Sequence, residues 1–403
     1  MKTTFERFLI FERDYNLWEY SLDNIFYWHL IRYDMFYVIL NHLNNYTTNE
    51  SWESLRLKPS KFINIFTSFI MNISFKRYFN KGQRDVLIVT GGGRLKNNDK
   101  YINPKIDVFL PRLDKSYLVL EQFFQHMNFS PIPTKNLVYL NTFQIRKRLN
   151  RLLRTKNTKL MSLVKKHAIV LSELIYRYFA IEIQHEKIAK ILIQKILDFN
   201  YSIKFYKKLL SKIKPKVVIV TVHYSTHKMA LINISKVLGI PTVELQHGVM
   251  GKYHIAYNFS KYQGQTFPDY IFTFGKYWRD FTRLPIDTSK IIPTGYPYHE
   301  LRFNQNKHIK RSARTILFVS SPEVGPILHK VALEICSNLI DFRIIYKLHP
   351  QEYLNWKQDY PNLINSKIEV FDNNDLDIHY FLSISKYMVG VSSTVMFEGL
   401  SYN

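Results

Sequence analysis

One cysteine, Cys336, stands in 403 residues. That excludes an intramolecular disulfide and any zinc cluster built on cysteine, and it fits a reducing compartment. No window reaches the ~18 uninterrupted apolar residues of a membrane-spanning helix. The best candidate, residues 62–75, is broken by Asn64, Thr67, Ser68 and Asn72; it reads as a buried helix ahead of one lying in a membrane interface. The amino terminus, Met1-Lys-Thr-Thr-Phe-Glu-Arg, lacks the charged-then-apolar order of a signal peptide. Acidic residues are the remaining shortage: 32 against 56 Lys and Arg, a net charge of +24. An excess of that sign favours anionic partners such as phosphorylated substrates or anionic lipid. Nucleic acid is set aside, because no helix-turn-helix or RNP signature accompanies the charge.

What is present is a hydrophobic content of 46%, ample for large cores. Residues 1–82 place Trp18, Tyr20, Phe26, Tyr27, Trp28, Tyr33, Phe36 and Tyr37 at helical spacing and predict a helical N-terminal region. An α/β rhythm follows over 83–300, with short apolar strands at 85–90, 117–120, 136–140, 217–222, 240–245 and 270–274, and a strand ending in a tight glycine-proline turn over 291–297. It is interrupted at about 142–214 by a basic helical insertion, whose residues 160–214 read as one continuing helix closed by Pro215. Within the insertion, Leu149, Leu152 and Leu153 stand at helical spacing among Arg146, Lys147, Arg148, Arg151 and Arg154. That is the pattern of a helix lying on an anionic membrane surface, though a solvated charged face reads the same way. Residues 301–314 are polar and basic and read as a linker. A second α/β domain spans 315–403, with strands at 315–319, 342–348, 368–371 and 387–391. The expected fold class is therefore α/β, with two Rossmann-like, doubly wound domains facing a cleft. A complete domain of this kind carries a further strand and helix, so the second one is expected to be truncated.

Candidate chemistry gathers at strand ends. Gln246-His247-Gly248 follows the strand at 240–245 and delivers an imidazole to the carboxyl edge of a parallel sheet, where such sheets bind ligands. Lys252 and His254 lie in the loop beyond, His254 being an alternative base. In the second domain His349-Pro350 ends one strand; Ser392-Ser393-Thr394 opens a helix with hydroxyls and free amides, and Glu398 follows one turn on. Gly325, after Ser320-Ser321-Pro322-Glu323, is a candidate for backbone approach to a pyrophosphate. Gly91-Gly92-Gly93 is not a dinucleotide fingerprint and more readily offers room to an acceptor. His223 and His227, four apart, lack the glutamate of an H-E-x-x-H site. Asp375 and Asp377 imitate a D-x-D motif at a helix start, where aspartate caps. No metal site is expected.

This order of motifs resembles the GT-B glycosyltransferases, and more narrowly those of bacterial capsule and surface polysaccharide. It is similar to sialyltransferases with H-P and S-S motifs and to teichoic acid glycerophosphate polymerases with a W-H-G motif; nucleotide-sugar 2-epimerases share the fold. Gln246 stands where W-H-G has tryptophan, and no D/E-D/E-G triplet occurs. The resemblance implies metal-independent transfer of a sugar from a nucleotide donor, CMP-linked, to a glycan or lipid-linked acceptor. No cofactor is implied beyond that co-substrate. A CDP-polyol phosphotransferase is the alternative, and a non-catalytic polyanion- or membrane-binding protein the alternative of another class. His349 with Pro350 would meet the donor phosphate, Ser392, Ser393 and Thr394 would hold it, and Glu398 would hold the ribose. His247 would take the acceptor proton, with Gln246, Gly248, Lys252 and His254 beside it. The implied location is cytoplasmic, peripheral at the inner face of the plasma membrane.

Overall fold

The computed structural model describes residues 3–43, 76–97, 99–122, 129–155, 158–262, 264–391 and 393–402. The apolar stretch at 62–75 and Ser392 lie outside them. Helix α1 (Thr4–Asp14) opens on a capping box, Thr3 accepting from the Glu6 amide while Glu6 reaches back to the Thr3 amide. Helix α2 (Trp28–Leu43) follows. The first sheet is built from β1 (Val86–Thr90), β2 (Tyr117–Glu121), β3 (Leu137–Tyr139), β4 (Val217–Thr221), β5 (Thr242–Leu245), β6 (Tyr270–Thr273) and β7 (Ile291–Pro293). Its order is β7-β6-β5-β4-β1-β2-β3, parallel throughout. The Val-Leu-Ile-Val run of β1 is buried along its length, as a central strand covered on both faces must be.

Between β3 and β4 come α3 (Asn141–Arg154), α4 (Thr158–Phe179) and α5 (His185–Ile213). The continuous helix expected over 160–214 is corrected to a hairpin. Ala180 turns at φ 57°, and the Ser172 hydroxyl holds the Ile183 carbonyl at 2.6 Å across the break. The hairpin lets Val164, Leu171, Ile188 and Leu192 share one core with Phe8, Phe11, Trp28 and Ile31. The N-terminal helices and the α4–α5 hairpin thus share one helical core on the first domain.

Helix α6 (Thr226–Val237) joins β4 to β5, and α7 (Lys276–Phe281) follows β6. The linker expected at 301–314 is corrected next. Helix α8 runs from Pro297 to Asn306, and β8 already starts at Ser312. Pro297 at the first helical position suits a helix start. The polar composition misleads because only one side of α8 is covered: Phe303 packs on Tyr402 with ring centroids 5.1 Å apart. The second sheet holds β8 (Ser312–Val319), β9 (Arg343–Lys347), β10 (Glu369–Phe371) and β11 (Ser385–Gly390) in the order β10-β9-β8-β11, again all parallel. Helices α9 (Gly325–Asn338), α10 (Ile378–Ile384) and α11 (Thr394–Gly399) pack around it. Two doubly wound α/β domains are the architecture.

Each sheet reverses its winding once, between β1 and β4 in the first and between β8 and β11 in the second. Open α/β sheets bind ligands in the crevice at the carboxyl ends of such strand pairs. Helix α7 leaves the carboxyl end of β6 and α11 follows the carboxyl end of β11. Their contact, Trp278 on Phe397 at 4.7 Å, brings the carboxyl edges of the two sheets face to face.

Candidate active site at the facing sheet edges

At the first switch point, Thr90 and Thr221 meet through their hydroxyls at 3.2 Å. The glycine loop after β1 is anchored beside them. Asn103 donates to Thr90 Oγ1, and buried Arg94 is paired with Glu121 at 2.7 Å and Asp107 at 2.9 Å. The open space beside Gly91 and Gly93 leaves the loop free to receive a ligand. Across the crevice, Val222 takes φ 62°. For a β-branched residue that is strained backbone, held just where the chain turns His223 toward β5.

The group that organises this edge is Glu244, wholly buried inside β5. Its Oε2 lies 2.6 Å from His223 Nδ1, and its Oε1 accepts from the His223 amide at 3.0 Å and the Tyr257 hydroxyl at 2.7 Å. Burial alone would raise its pKa, but the His223 imidazole, then His247 and Tyr257, bring it down to about 2. A carboxylate only accepts, so the Tyr257 proton points at Glu244 and the Tyr257 oxygen is left to accept. His247 Nδ1 sits 3.2 Å from that oxygen, and Nε2 sits 3.2 Å from the Tyr224 hydroxyl. The arrangement selects the tautomer with hydrogen on Nδ1 and a lone pair on Nε2, the form a general base requires. Burial, reinforced by Lys105, lowers the His247 pKa well below the ordinary value, which keeps the ring neutral. Burial also brings Lys105 down to about 8 and Lys228 to about 7.

The loop carrying His247 is fixed from two sides. Gln246 donates to the Gly248 carbonyl at 2.9 Å and accepts from the Phe274 amide at 2.7 Å, so its amide staples the loop to the end of β6. From the other side, Arg32 of α2 is paired with buried Glu12 and donates to the carbonyls of Ile255 and Asn258. Tyr33 stacks on Tyr224 at 5.2 Å. Gly248 has open space beside its Cα. His254 lies in the same ring cluster, 4.9 Å from Tyr257, with burial bringing it down to about 4. Lys252 is exposed, over the Tyr253 ring. His227, by contrast, is a core residue bonded to Tyr206 at 2.8 Å.

On the second edge, His349 is half-buried in the turn after β9, its amide donating to Glu352 at 2.8 Å. Burial lowers the imidazole pKa. Pro350 is exposed in that turn. Glu352 also accepts from Ser320 at 2.9 Å and Tyr360 at 2.8 Å, tying the ends of β8 and β9 together. The room beside Gly325 is taken by Tyr360 and Glu352, and its amide donates to the Ser321 carbonyl at 2.7 Å. Gly325 therefore packs the helix against the strand-end turn. Ser393 caps α11, its oxygen accepting from the Val395 amide at 3.3 Å, and Thr394 starts the helix. Glu398 is turned inward, 3.2 Å from His379, with burial raising its pKa to about 7. Asp377 caps α10 through the His379 amide and accepts from Tyr298 at 2.6 Å.

Sequence reasoning singled out His247 and His254 for this edge but not His223, Glu244, Tyr224, Tyr257, Lys105 and Lys228. The available signal was a lone glutamate in the apolar run Val243-Glu244-Leu245, which a buried parallel strand does not tolerate unpaired.

Among solved structures, several are similar to this chain at low identity. The UDP-GlcNAc 2-epimerase of Methanocaldococcus jannaschii is similar with TM-score 0.42 and 13% identity, over 78% of this chain and 80% of that one. The wall teichoic acid polymerase TagF is similar with TM-score 0.39 and 11% identity, over 86% and 77%. The glycotransferase of kitacinnamycin gives 0.40 and 10%, over 80% and 79%. No protein-family model and no curated protein matches the sequence.

Proposed function

We propose that this protein is a transferase of surface-polysaccharide assembly, moving a sugar from a nucleotide donor, cytidine-linked, to a glycan or lipid-linked acceptor. The observation that carries the reading is the Glu244–Tyr257–His247 chain of hydrogen bonds at a switch-point crevice, opposite a second crevice of donor type. An acceptor hydroxyl takes the place of the Tyr224 hydroxyl at His247 Nε2 and gives up its proton there. Its oxygen attacks the anomeric carbon, the bond from that carbon to the phosphate oxygen breaks, and the nucleotide leaves with the electron pair. His349, Ser393 and Thr394 meet the departing phosphate, and Ser392 belongs with them by sequence. Lys105 and Lys228 offset negative charge gathering in the crevice.

A CDP-polyol phosphotransfer uses the same groups with attack at phosphorus, and its product is a phosphodiester rather than a glycoside. A peripheral position at an anionic membrane is supported by α3, where Leu149, Leu152 and Leu153 are 53%, 65% and 72% exposed. Beside them a groove of about 290 Å³ is lined by Arg146, Arg154, Lys204 and Lys208 over Tyr201 and Phe205. Thermal-shift titration with CMP, CDP, UDP and GDP tests the donor assignment. Stabilisation by the cytidine nucleotides, reduced in His349→Ala, is the expected result. Preference for UDP or GDP removes the cytidine reading, and no response to any nucleotide leaves the polyanion-binding alternative.

A further inference from the structure

Three ligating side chains converge beneath α11, away from the His247 crevice: His299 of α8, His379 of α10 and Glu398 of α11. One ligand atom from each lies within 4.8 Å of the other two, and His379 Nε2 is 3.2 Å from Glu398 Oε2. Each imidazole has one nitrogen engaged by a hydroxyl. His299 Nε2 meets Ser401 at 2.9 Å, and His379 Nδ1 meets Tyr402 at 3.3 Å. The other two nitrogens, His299 Nδ1 and His379 Nε2, are buried without a hydrogen-bond partner. His379 itself is fully buried. Buried polar atoms in native structures are normally satisfied, and an orphan points to something that binds it.

We propose that His299 Nδ1, His379 Nε2 and the Glu398 carboxylate bind one divalent transition-metal ion, of which Zn²⁺ fits the donor set. Two imidazoles and a carboxylate are borderline ligands suited to zinc, whereas Mg²⁺ and Ca²⁺ require an all-oxygen shell. Zn–N and Zn–O bonds near 2.0–2.1 Å put tetrahedral ligand atoms about 3.3 Å apart, and the His379–Glu398 pair already stands at that spacing. The Ser401 and Tyr402 hydroxyls act as outer partners. By accepting from Nε2–H of His299 and Nδ1–H of His379, they leave lone pairs on the nitrogens that face the ion. Arg302 lies nearby, but its charge is paired with Asp377 at 3.4 Å. The fourth position is left to water. In this role Glu398 is a metal ligand rather than a ribose contact. The ion ties α8, the first helix past β7, to α10 and to the helix that carries Ser393 and Thr394. Its work is positional: it sets where α11 stands relative to the first domain.

The test uses the tag-free full chain, stripped with a chelator and dialysed against Zn²⁺ or Co²⁺. One ion per chain is expected, with the strong visible bands of tetrahedral Co²⁺ and a thermal midpoint that rises with Zn²⁺. His299→Ala and Glu398→Gln are each expected to weaken binding at least tenfold and to remove the metal-dependent rise. Circular dichroism of the metal-free variants checks that they fold, and His299→Gln replaces His299→Ala if the latter does not. Saturable binding that survives in folded variants overturns the proposal, as does wild-type protein that binds no Zn²⁺. Displacement of Zn²⁺ by equimolar Mg²⁺ or Ca²⁺ overturns it as well.

Discussion

His247 is backed by a tyrosyl hydroxyl where many catalytic histidines are backed directly by a carboxylate. Glu244 Oε1 stands 3.9 Å from Nδ1, beyond hydrogen-bond reach, so Tyr257 carries the link. Replacing His247 with alanine is expected to lower turnover by about 10²–10⁴-fold, the range for losing a general base, with the fold retained. Tyr257→Phe keeps the ring packing but breaks the link. Its expected effect is a fall in kcat of about tenfold with KM little changed, and a shifted acid limb in the pH–rate profile. Histidines shielded from water contribute to the acid stability, His227 and His247 among them. Burial lowers His29 and His254 to about 4 from the ordinary 6.5. A folded-state pKa below the unfolded value means stability present above pH 6.5 and lost as pH falls toward 4. Glu244, brought down to about 2 from 4.5, adds a second loss between those values. Denaturant unfolding at stepped pH should show stability declining from about pH 6.5 downward; a flat curve between pH 6.5 and 5 contradicts the assignment of neutral buried rings. His247 was legible because a strand-end histidine before glycine is visible in the chain. Glu244 was not, since its partners His223 and Tyr257 come from separate loops and meet only in the folded sheet.

Among the elements, α2 supports the site while contributing no reacting group. Through Arg32 it holds the loop at 249–258 by its carbonyls, and the Glu12–Arg32 pair that permits this is buried on both sides. Removing one partner of such a pair leaves an uncompensated charge and costs about 3–5 kcal/mol. Arg32→Met should therefore lower stability by that order in chemical denaturation, and Glu12→Gln by less, because glutamine still accepts hydrogen bonds. The strands were largely readable, since apolar runs such as Val86-Leu87-Ile88-Val89 have few alternatives. The two misreadings share a cause. Residues 301–306 are helical although polar, because Pro297 favours the helix start, and buried Tyr298 with Phe303 suffices when a neighbour supplies the core. The break at Ala180 carries no glycine or proline to announce it. Helix α3 gives an element-scale test. Exchanging Leu149, Leu152 and Leu153 for serine should abolish flotation with anionic vesicles and leave the thermal midpoint nearly unchanged, because these side chains are exposed. Flotation that survives assigns the stripe to solvent.

At the scale of the whole molecule, two parallel sheets present switch-point crevices to one another, and the proposed reading divides the chemistry between them. The first holds a neutral imidazole with two nearby amines, and the second, where the proposal places the donor phosphate, holds the His349 turn and the Ser393-capped helix start. Among the described residues no helix is long and apolar enough to cross a membrane. The domain rhythm, and two domains facing a cleft, were expected from the sequence, but what brings the two edges together was not. Their meeting depends on aromatic contacts such as Trp278 with Phe397, between residues far apart in the chain. The most direct measurement is nucleotide release from a panel of cytidine-activated donors, with and without a lipid-linked glycan acceptor, by wild type and His247→Ala of matched thermal midpoint. The account predicts acceptor-dependent release by the wild type and a loss of at least a hundredfold in the variant. A folded variant that releases nucleotide at the wild-type rate would contradict it.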